Sequence, residues 1–256
     1  MPDSIRFKIE PLTEIELLRQ CVEIQRQAWG FSDEDLVPAR ILVVCSKIGG
    51  QVFGAFDSNG KVIGFLNAFP GIREGKVYLH SQMMGVLPEF QNLGIGKGLK
   101  LAQREEALRR GISRIEWTFD PLEIRNGHFN LENLAVICRR FYVNTYGISS
   151  SQLHAGLPTD RLVAEWFLES PRVKERVLGR GFKKQDSACK SVELPLEIGK
   201  LKYSNPDLAL RIQLEFRQHL LHLLDQAYCI TQFEIDQVLQ KARYWLEPFG
   251  EHILDL

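Results

Sequence analysis

The chain has 256 residues, 45% of them hydrophobic and 25% charged, an ordinary composition for a folded protein long enough to hold a sizeable core and an extension. Lys plus Arg and Asp plus Glu both number 32, for a formal charge of zero, which argues against broad electrostatic binding to nucleic acid or to an anionic membrane. Five scattered cysteines without a C-x-x-C pair give neither a disulfide framework nor a zinc site. The N-terminal residues 1–12 hold no apolar core of signal-peptide length, and no stretch approaches the roughly 20 apolar residues of a membrane span; with the scattered cysteines, the expectation is a cytoplasmic protein, and no metal is expected.

In chain order, Ile5, Phe7 and Ile9 alternate with Arg6, Lys8 and Glu10, the pattern of a half-buried strand. Thr13, with Glu16 three residues on, has the form of a helix cap, and the helix runs through Ile15, Leu18 and Val22 to about Trp29. Residues 30–38 read as a loop and Ile41 to Val44 as a short apolar run. Gln51 to Phe56 and Lys61 to Phe69 are two strands around an Asp57-Ser58-Asn59-Gly60 turn. A second turn at 71–75 leads into a long strand, Val77 to Val86.

Residues 84–98 carry the most information. The strand ends at Leu87-Pro88, and a loop with Gly94, Gly96 and Gly98 opens a helix that runs to Arg110 and stops at Gly111. Glycines admit a close backbone approach, and the unpaired N–H groups of a helix start favour an anion such as a pyrophosphate. The spacing separates this loop from two common nucleotide motifs. A P-loop needs Ser or Thr after G-K, but Gly98 follows Lys97; a dinucleotide fingerprint needs a third glycine where Leu99 stands.

After that helix, Ile115, Trp117 and Phe119 alternate with Glu116, Thr118 and Asp120, and Pro121 closes the strand. Leu131 to about Thr145 is expected to be helical, and Leu162 to Leu168 a late strand. Asn205-Pro206 starts a helix with Asn as cap, whose broad stripe of Leu210, Leu214, Leu221 and Leu224 must pack on something.

Gln91, Gly94 and Gly96 meet the signature Q/R-x-x-G-x-G/A, and this segment resembles motif A of the GNAT family, the GCN5-related N-acetyltransferases. The order of elements over residues 5–170 is also similar to that family, and the stretch 125–147 resembles its motif B region. The resemblance implies an α/β (α+β) GNAT acyl-CoA N-acyltransferase fold, a mixed central sheet flanked by helices. It implies an N-acetyltransferase domain over 1–170 and a helical or mixed C-terminal extension over 171–256, packed on that domain or on a second subunit in a homodimer.

The implied cosubstrate is acetyl-CoA or coenzyme A. Met84 and Val86 would pair with its pantetheine arm, and Gln91, Asn92, Leu93, Gly94, Gly96, Lys97 and Gly98 would hold its pyrophosphate. An amine attacking the thioester needs a base. His80, placed by period-2 counting on the side of Gln82 and Met84, is one candidate; Glu116 and Asp120, together on one strand face, are the next. Tyr142, or Tyr146 in competition with it, would return a proton to the thiolate, as a helical tyrosine does in that family. The implied function is acyl transfer to a small amine or amino-acid-like acceptor. The alternative is a non-catalytic coenzyme A or acyl-CoA sensor or structural module.

Overall fold

The computed structural model describes residues 6–147, 154–180 and 189–254. They form a mixed α/β protein with mostly antiparallel strands and divide into two compact units, one up to Glu116 and the other from Trp117 onward.

In the first unit, β1 (Lys8–Pro11), β2 (Gln51–Phe56), β3 (Val62–Arg73) and β4 (Lys76–Val86) pair antiparallel in that order. Every residue of β2 is buried, so its apolar run lacks the alternation of a one-sided strand. Helices α1 (Ile15–Trp29), α2 (Ala39–Lys47) and α3 (Ile95–Arg109) cover these strands. The core gathers Leu18, Ile24, Leu42, Phe53, Ile63, Phe65, Leu66 and Leu99. Two expectations change. The run 41–44 belongs to α2, where Leu42 and Cys45 turn inward three residues apart. Glu14, not Thr13, precedes α1, with no side-chain cap bond.

Both hairpin turns follow local chemistry. Asp57 accepts the N–H groups of Asn59 and Lys61, each at 2.9 Å, an Asx turn. Glu74 and Gly75 both take positive φ, 52° and 74°, as a two-residue hairpin between twisted strands requires. A bulge lies further along: Asn67 faces Met83 while Ala68 faces Ser81, which leaves Gln82 as the extra residue of β4.

The second unit takes up β5 (Arg114–Phe119) from Trp117. It continues through α4 (Ile124–His128) and a π-helical turn at Phe129–Asn133 to β6 (Ile137–Tyr142) and β7 (Arg161–Phe167). The extension adds α5 (Pro171–Val177), β8 (Lys190–Pro195), α6 (Ile198–Ser204), α7 (Pro206–Asp225), β9 (Tyr228–Asp236), β10 (Lys241–Pro248) and α8 (Glu251–Leu254). Strand order here is β5-β7-β6-β9-β10-β8. Thus residues 171–256 share a unit with 117–147, β9 pairing with β6 at Cys138↔Ile230.

The helix expected over 131–145 is not formed. Ala135 takes φ 56° after the π turn, and Val136 to Val143 is rich in β-branched and aromatic side chains that suit a pleated surface. Strands β9 and β10 were not legible among the helical stripes of the extension. Asn205 does cap α7, its Oδ1 accepting Leu208 N–H at 3.2 Å. The inward face of α7 is Ala209, Gln213, Phe216, Leu220 and Leu223, and Leu214 points to solvent.

Candidate active site

The glycine loop leaves β4 through Leu87, whose N–H donates to Ile63 O at 2.9 Å, and turns over Pro88–Phe90. Gln91 Nε2 reaches back to Val86 O at 3.2 Å and pins the loop to the strand end. Asn92 and Gly94 take left-handed φ of 63° and 84°, so the chain coils before α3 begins. The N–H of Gly98 donates to Gly94 O at 2.9 Å, the first bond of the helix. The N–H groups of Ile95, Gly96 and Lys97 therefore precede the intrahelical ladder, at the positive end of a 15-residue dipole.

The three glycines have different causes. Gly94 answers a backbone angle: a Cβ there would meet nothing within 4 Å, yet φ is positive. Gly96 is open apart from Met84 Cε, at 3.4 Å from an added Cβ. At Gly98 a Cβ would come within 2.8 Å of Ile9 Cδ1 and 3.1 Å of Phe7 Cε2, so this glycine lets α3 lie close to β1, and its N–H already belongs to the helix. Residues 94–97 thus offer N–H groups ahead of the first helical bond and lack a Cβ at two positions, features that suit an anion.

The bulge at Gln82 resets the faces of β4. Leu79, Ser81 and Met84 lie opposite Pro70, Ala68 and Leu66 on one face; His80, Met83 and Gly85 lie opposite Phe69, Asn67 and Phe65 on the other. The face with Ser81 is turned to α3, where Lys100 Nζ donates to Ser81 Oγ at 2.9 Å. The face with Gly85 is turned to α1, where Trp29 and Ile24 back that glycine. His80 is therefore on the face of Met83 and not, as simple alternation predicts, on that of Met84. The parallel pairing of β4 with β5 runs through Leu79↔Ile115 and His80↔Glu116.

Glu116 of β5 and Asp120, just past the strand's end, are each held by their own cations. Glu116 is buried and lies 2.5 Å from Arg114 Nη2 and 3.2 Å from Arg73 Nε. Asp120 Oδ2 lies 3.1 Å from Lys202 Nζ and 3.6 Å from His154 Nδ1, and Oδ1 accepts Leu122 N–H at 2.8 Å. Burial pushes the Asp120 carboxyl up, but His154, Lys202 and the Leu122 N–H outweigh it and hold it below its ordinary range. A carboxylate so satisfied is a weak proton acceptor.

Tyr142 ends β6 and is not helical. It is exposed, and Arg140 Nη1 donates to its Oη at 3.5 Å. Tyr146 lies in the following turn with Oη 3.2 Å from Thr118 Oγ1. In the motif B-like region, Asn130 is buried and accepts Trp117 Nε1 at 3.2 Å, while His128 is exposed.

Sequence patterning missed a polar seam inside the first unit. Lys100 and Gln103 of α3 are both buried. Lys100 Nζ donates to Gln103 Oε1 at 3.1 Å, Gln103 Nε2 to Gln51 Oε1 at 3.1 Å, and Gln51 Nε2 to Glu106. Burial holds the Lys100 amine well below the ordinary lysine range. No hydropathy count flags a lysine that packs like a methionine.

Among the described residues no group of His, Cys, Asp and Glu is placed to hold a metal, and no helix is long and apolar enough to cross a membrane. Residues 18–129 match the model of the Acetyltransferase (GNAT) family. Among solved structures, ACIAD1637 of Acinetobacter baylyi ADP1, assigned as an acetyltransferase, is similar at 15% identity and TM-score 0.54, over 65% of this chain and 95% of that one. NAA60 of Arabidopsis thaliana, solved in complex with acetyl-CoA, is similar at 14% identity and TM-score 0.52, over 63% and 98%. Both likenesses are of fold. No curated protein matches the chain.

Proposed function

We propose, from the match of residues 18–129 to the model of the GNAT acetyltransferase family, that this chain transfers an acyl group, acetyl first among them, from coenzyme A to the amine of a small acceptor. The observation that carries the proposal is the set of N–H groups at Ile95, Gly96 and Lys97, ahead of the first helical bond and over glycines that leave room for a diphosphate. When bound, acetyl-CoA supplies an activated thioester. The chain's own task is to hold the pyrophosphate on the loop, pair with the pantetheine arm along Met83–Val86 beyond the last β4–β5 pairing, and take a proton from the amine.

For the last task His80 stands ahead of the other candidates. Glu116 and Asp120 are committed to Arg73, Arg114 and Lys202, whereas an imidazole exchanges protons near neutrality. For return of a proton to the thiolate, Tyr142 and Tyr146 are the proposed candidates. The N-acetyltransferase domain is proposed to span residues 1–170, with residues 171–256 as a C-terminal extension.

Calorimetric titration with acetyl-CoA tests the site, run on the wild type and on Gly96→Glu, which places bulk and negative charge among the free N–H groups. The expected outcome is saturable binding that the substitution abolishes, together with thiol release in the presence of amines that His80→Ala slows without weakening coenzyme A binding. Absence of binding to the wild type would overturn the proposal. Binding without thiol release from any amine would favour the non-catalytic module instead.

A further inference from the structure

The second unit holds an arginine whose charge is not matched by contact with a carboxylate. Arg161 opens β7 and is half-buried. Its Nε donates to Thr118 Oγ1 at 3.3 Å and its Nη2 to Thr118 O at 3.1 Å. The guanidinium lies over the Tyr146 ring, 5.5 Å from its centroid, and the Tyr146 hydroxyl is 3.2 Å from Thr118 Oγ1. A guanidinium has five N–H donors, and Thr118 uses two of them. The other partly buried arginines nearby behave differently. Arg139 forks onto Glu165 at 2.8 and 2.8 Å, and Arg217 onto Asp160 at 2.8 and 3.0 Å.

The carboxylates that lie closest to Arg161 by charge are already engaged. Asp120 and Glu123 bind Lys202 Nζ at 3.1 and 2.7 Å, and the preceding Asp160 is taken by Arg217. Among the described residues, none forms an ion pair with Arg161. Burial pulls its guanidinium below the ordinary range even with Asp120, Tyr146 and Glu123 in electrostatic reach. Tyr146, 58% exposed, keeps one side of the cluster open to solvent.

We infer that Arg161, with Thr118 and Tyr146, is a binding site for a carboxylate, and that the acyl acceptor is an amine that also carries one. The second clause rests on the acyltransferase reading; the first does not. The arrangement suits the task in three ways. Two bonds to Thr118 fix the plane of the guanidinium, so its remaining N–H donors are preorganised for a planar anion. The tyrosine ring shields one face and its hydroxyl offers a further donor. Thr118 and Arg161 sit on neighbouring strands of the second unit, β5 and β7, so the site is built on a rigid scaffold.

Two measurements on the full chain decide the matter. In the first, the Nε–H resonance of Arg161, assigned by its loss in Arg161→Lys, is followed by NMR during titration with benzoate, acetate and glutarate, each beside its uncharged amide. A saturable shift with a carboxylate and none with its amide is expected; no saturable shift with any of the three acids, or equal response to acid and amide, would overturn the site. In the second, thiol release from acetyl-CoA is compared for amines matched except for a carboxylate, β-alanine with propylamine and phenylalanine with phenethylamine. The carboxylated member should be favoured by about tenfold or more, the scale of one charge-assisted hydrogen bond. Arg161→Gln should erase that preference through KM, and Arg161→Lys should restore part of it. Turnover without such a preference, or a preference that survives Arg161→Gln, would refute the acceptor assignment while leaving the acyltransferase reading standing. If no amine is turned over, that reading fails and the titration alone decides the carboxylate site.

Discussion

Three glycines that are alike in sequence do three different things at the residue scale. Gly94 supplies a left-handed turn, Gly96 leaves space, and Gly98 allows a helix to approach a strand. Gly98→Val is expected to destabilise the protein by about 1–3 kcal/mol, because the added carbons run into Ile9 and Phe7. Gly96→Ala makes only an ordinary contact with Met84 and should change stability by no more than about 1 kcal/mol, with helix propensity in its favour. Urea denaturation of the two variants checks the contrast, and equal losses would contradict it. The signature Q-x-x-G-x-G made the loop legible, but a motif records that small residues are present and not why each is needed. Lys100 was illegible for a related reason: a lysine is read as exposed unless the partner that satisfies it, here Ser81 on another element, is known. Its depressed pKa has a definite consequence. Between the folded value and the ordinary lysine value the unfolded chain binds one more proton, so stability rises with pH across that window and is lowest below it. Lys100→Met removes this contribution. The stability of wild type relative to the variant should therefore climb as pH rises from 7 towards 10, and a difference independent of pH would show that Lys100 stays charged.

At the scale of elements, boundaries marked by local chemistry were legible and those set by tertiary pairing were not. The Asx turn at Asp57, the hairpin at Glu74-Gly75, the start of α3 and the cap at Asn205 each follow from residues within a few positions of one another. The cap gives a clean prediction. Asn205→Ala leaves Leu208 N–H without its side-chain acceptor and should lower stability by about 1 kcal/mol, seen as a lower urea midpoint at unchanged slope; an unchanged midpoint would mean that solvent replaces the cap at no cost. Strand β6, by contrast, reads as a helix because its apolar residues are not spaced by two. Arg139 and Arg140, adjacent in sequence, both lie close to Glu165 of the neighbouring β7, a tertiary compensation that local periodicity does not contain. The Gln82 bulge belongs to the same class. One extra residue in β4 moves Met84 to the other face from His80, and with it any assignment of which side chains share a side.

On the scale of the whole molecule, the extension supplies groups that the preceding segment needs. Within the second unit, Lys202 of α6 is the cation that neutralises both Asp120 and Glu123, and its own charged form is favoured above the ordinary range by those carboxylates despite burial. Tyr244 of β10 donates to Pro121 O at 2.6 Å, Glu132 accepts Phe233 N–H at 2.8 Å, and Ile230 lies opposite Cys138 across β6 and β9. A chain ending at residue 170 loses all of these at once. Asp120 loses the Lys202 ammonium, and breaking a buried ion pair of this kind costs about 3–5 kcal/mol. The β6 edge that paired with β9 is bared, with unpaired backbone groups that invite association. Against a typical total stability of about 5–15 kcal/mol, the ion pair alone is a large fraction, and the other losses add to it. The truncated chain is therefore expected to elute as an aggregate, with Trp117 and Trp166 solvent-quenched, whereas the full chain keeps both indoles buried. A soluble fragment 1–170 with native tryptophan emission would show instead that residues 171–256 are an independent appendage, and would return the boundary to the place that element order alone suggested.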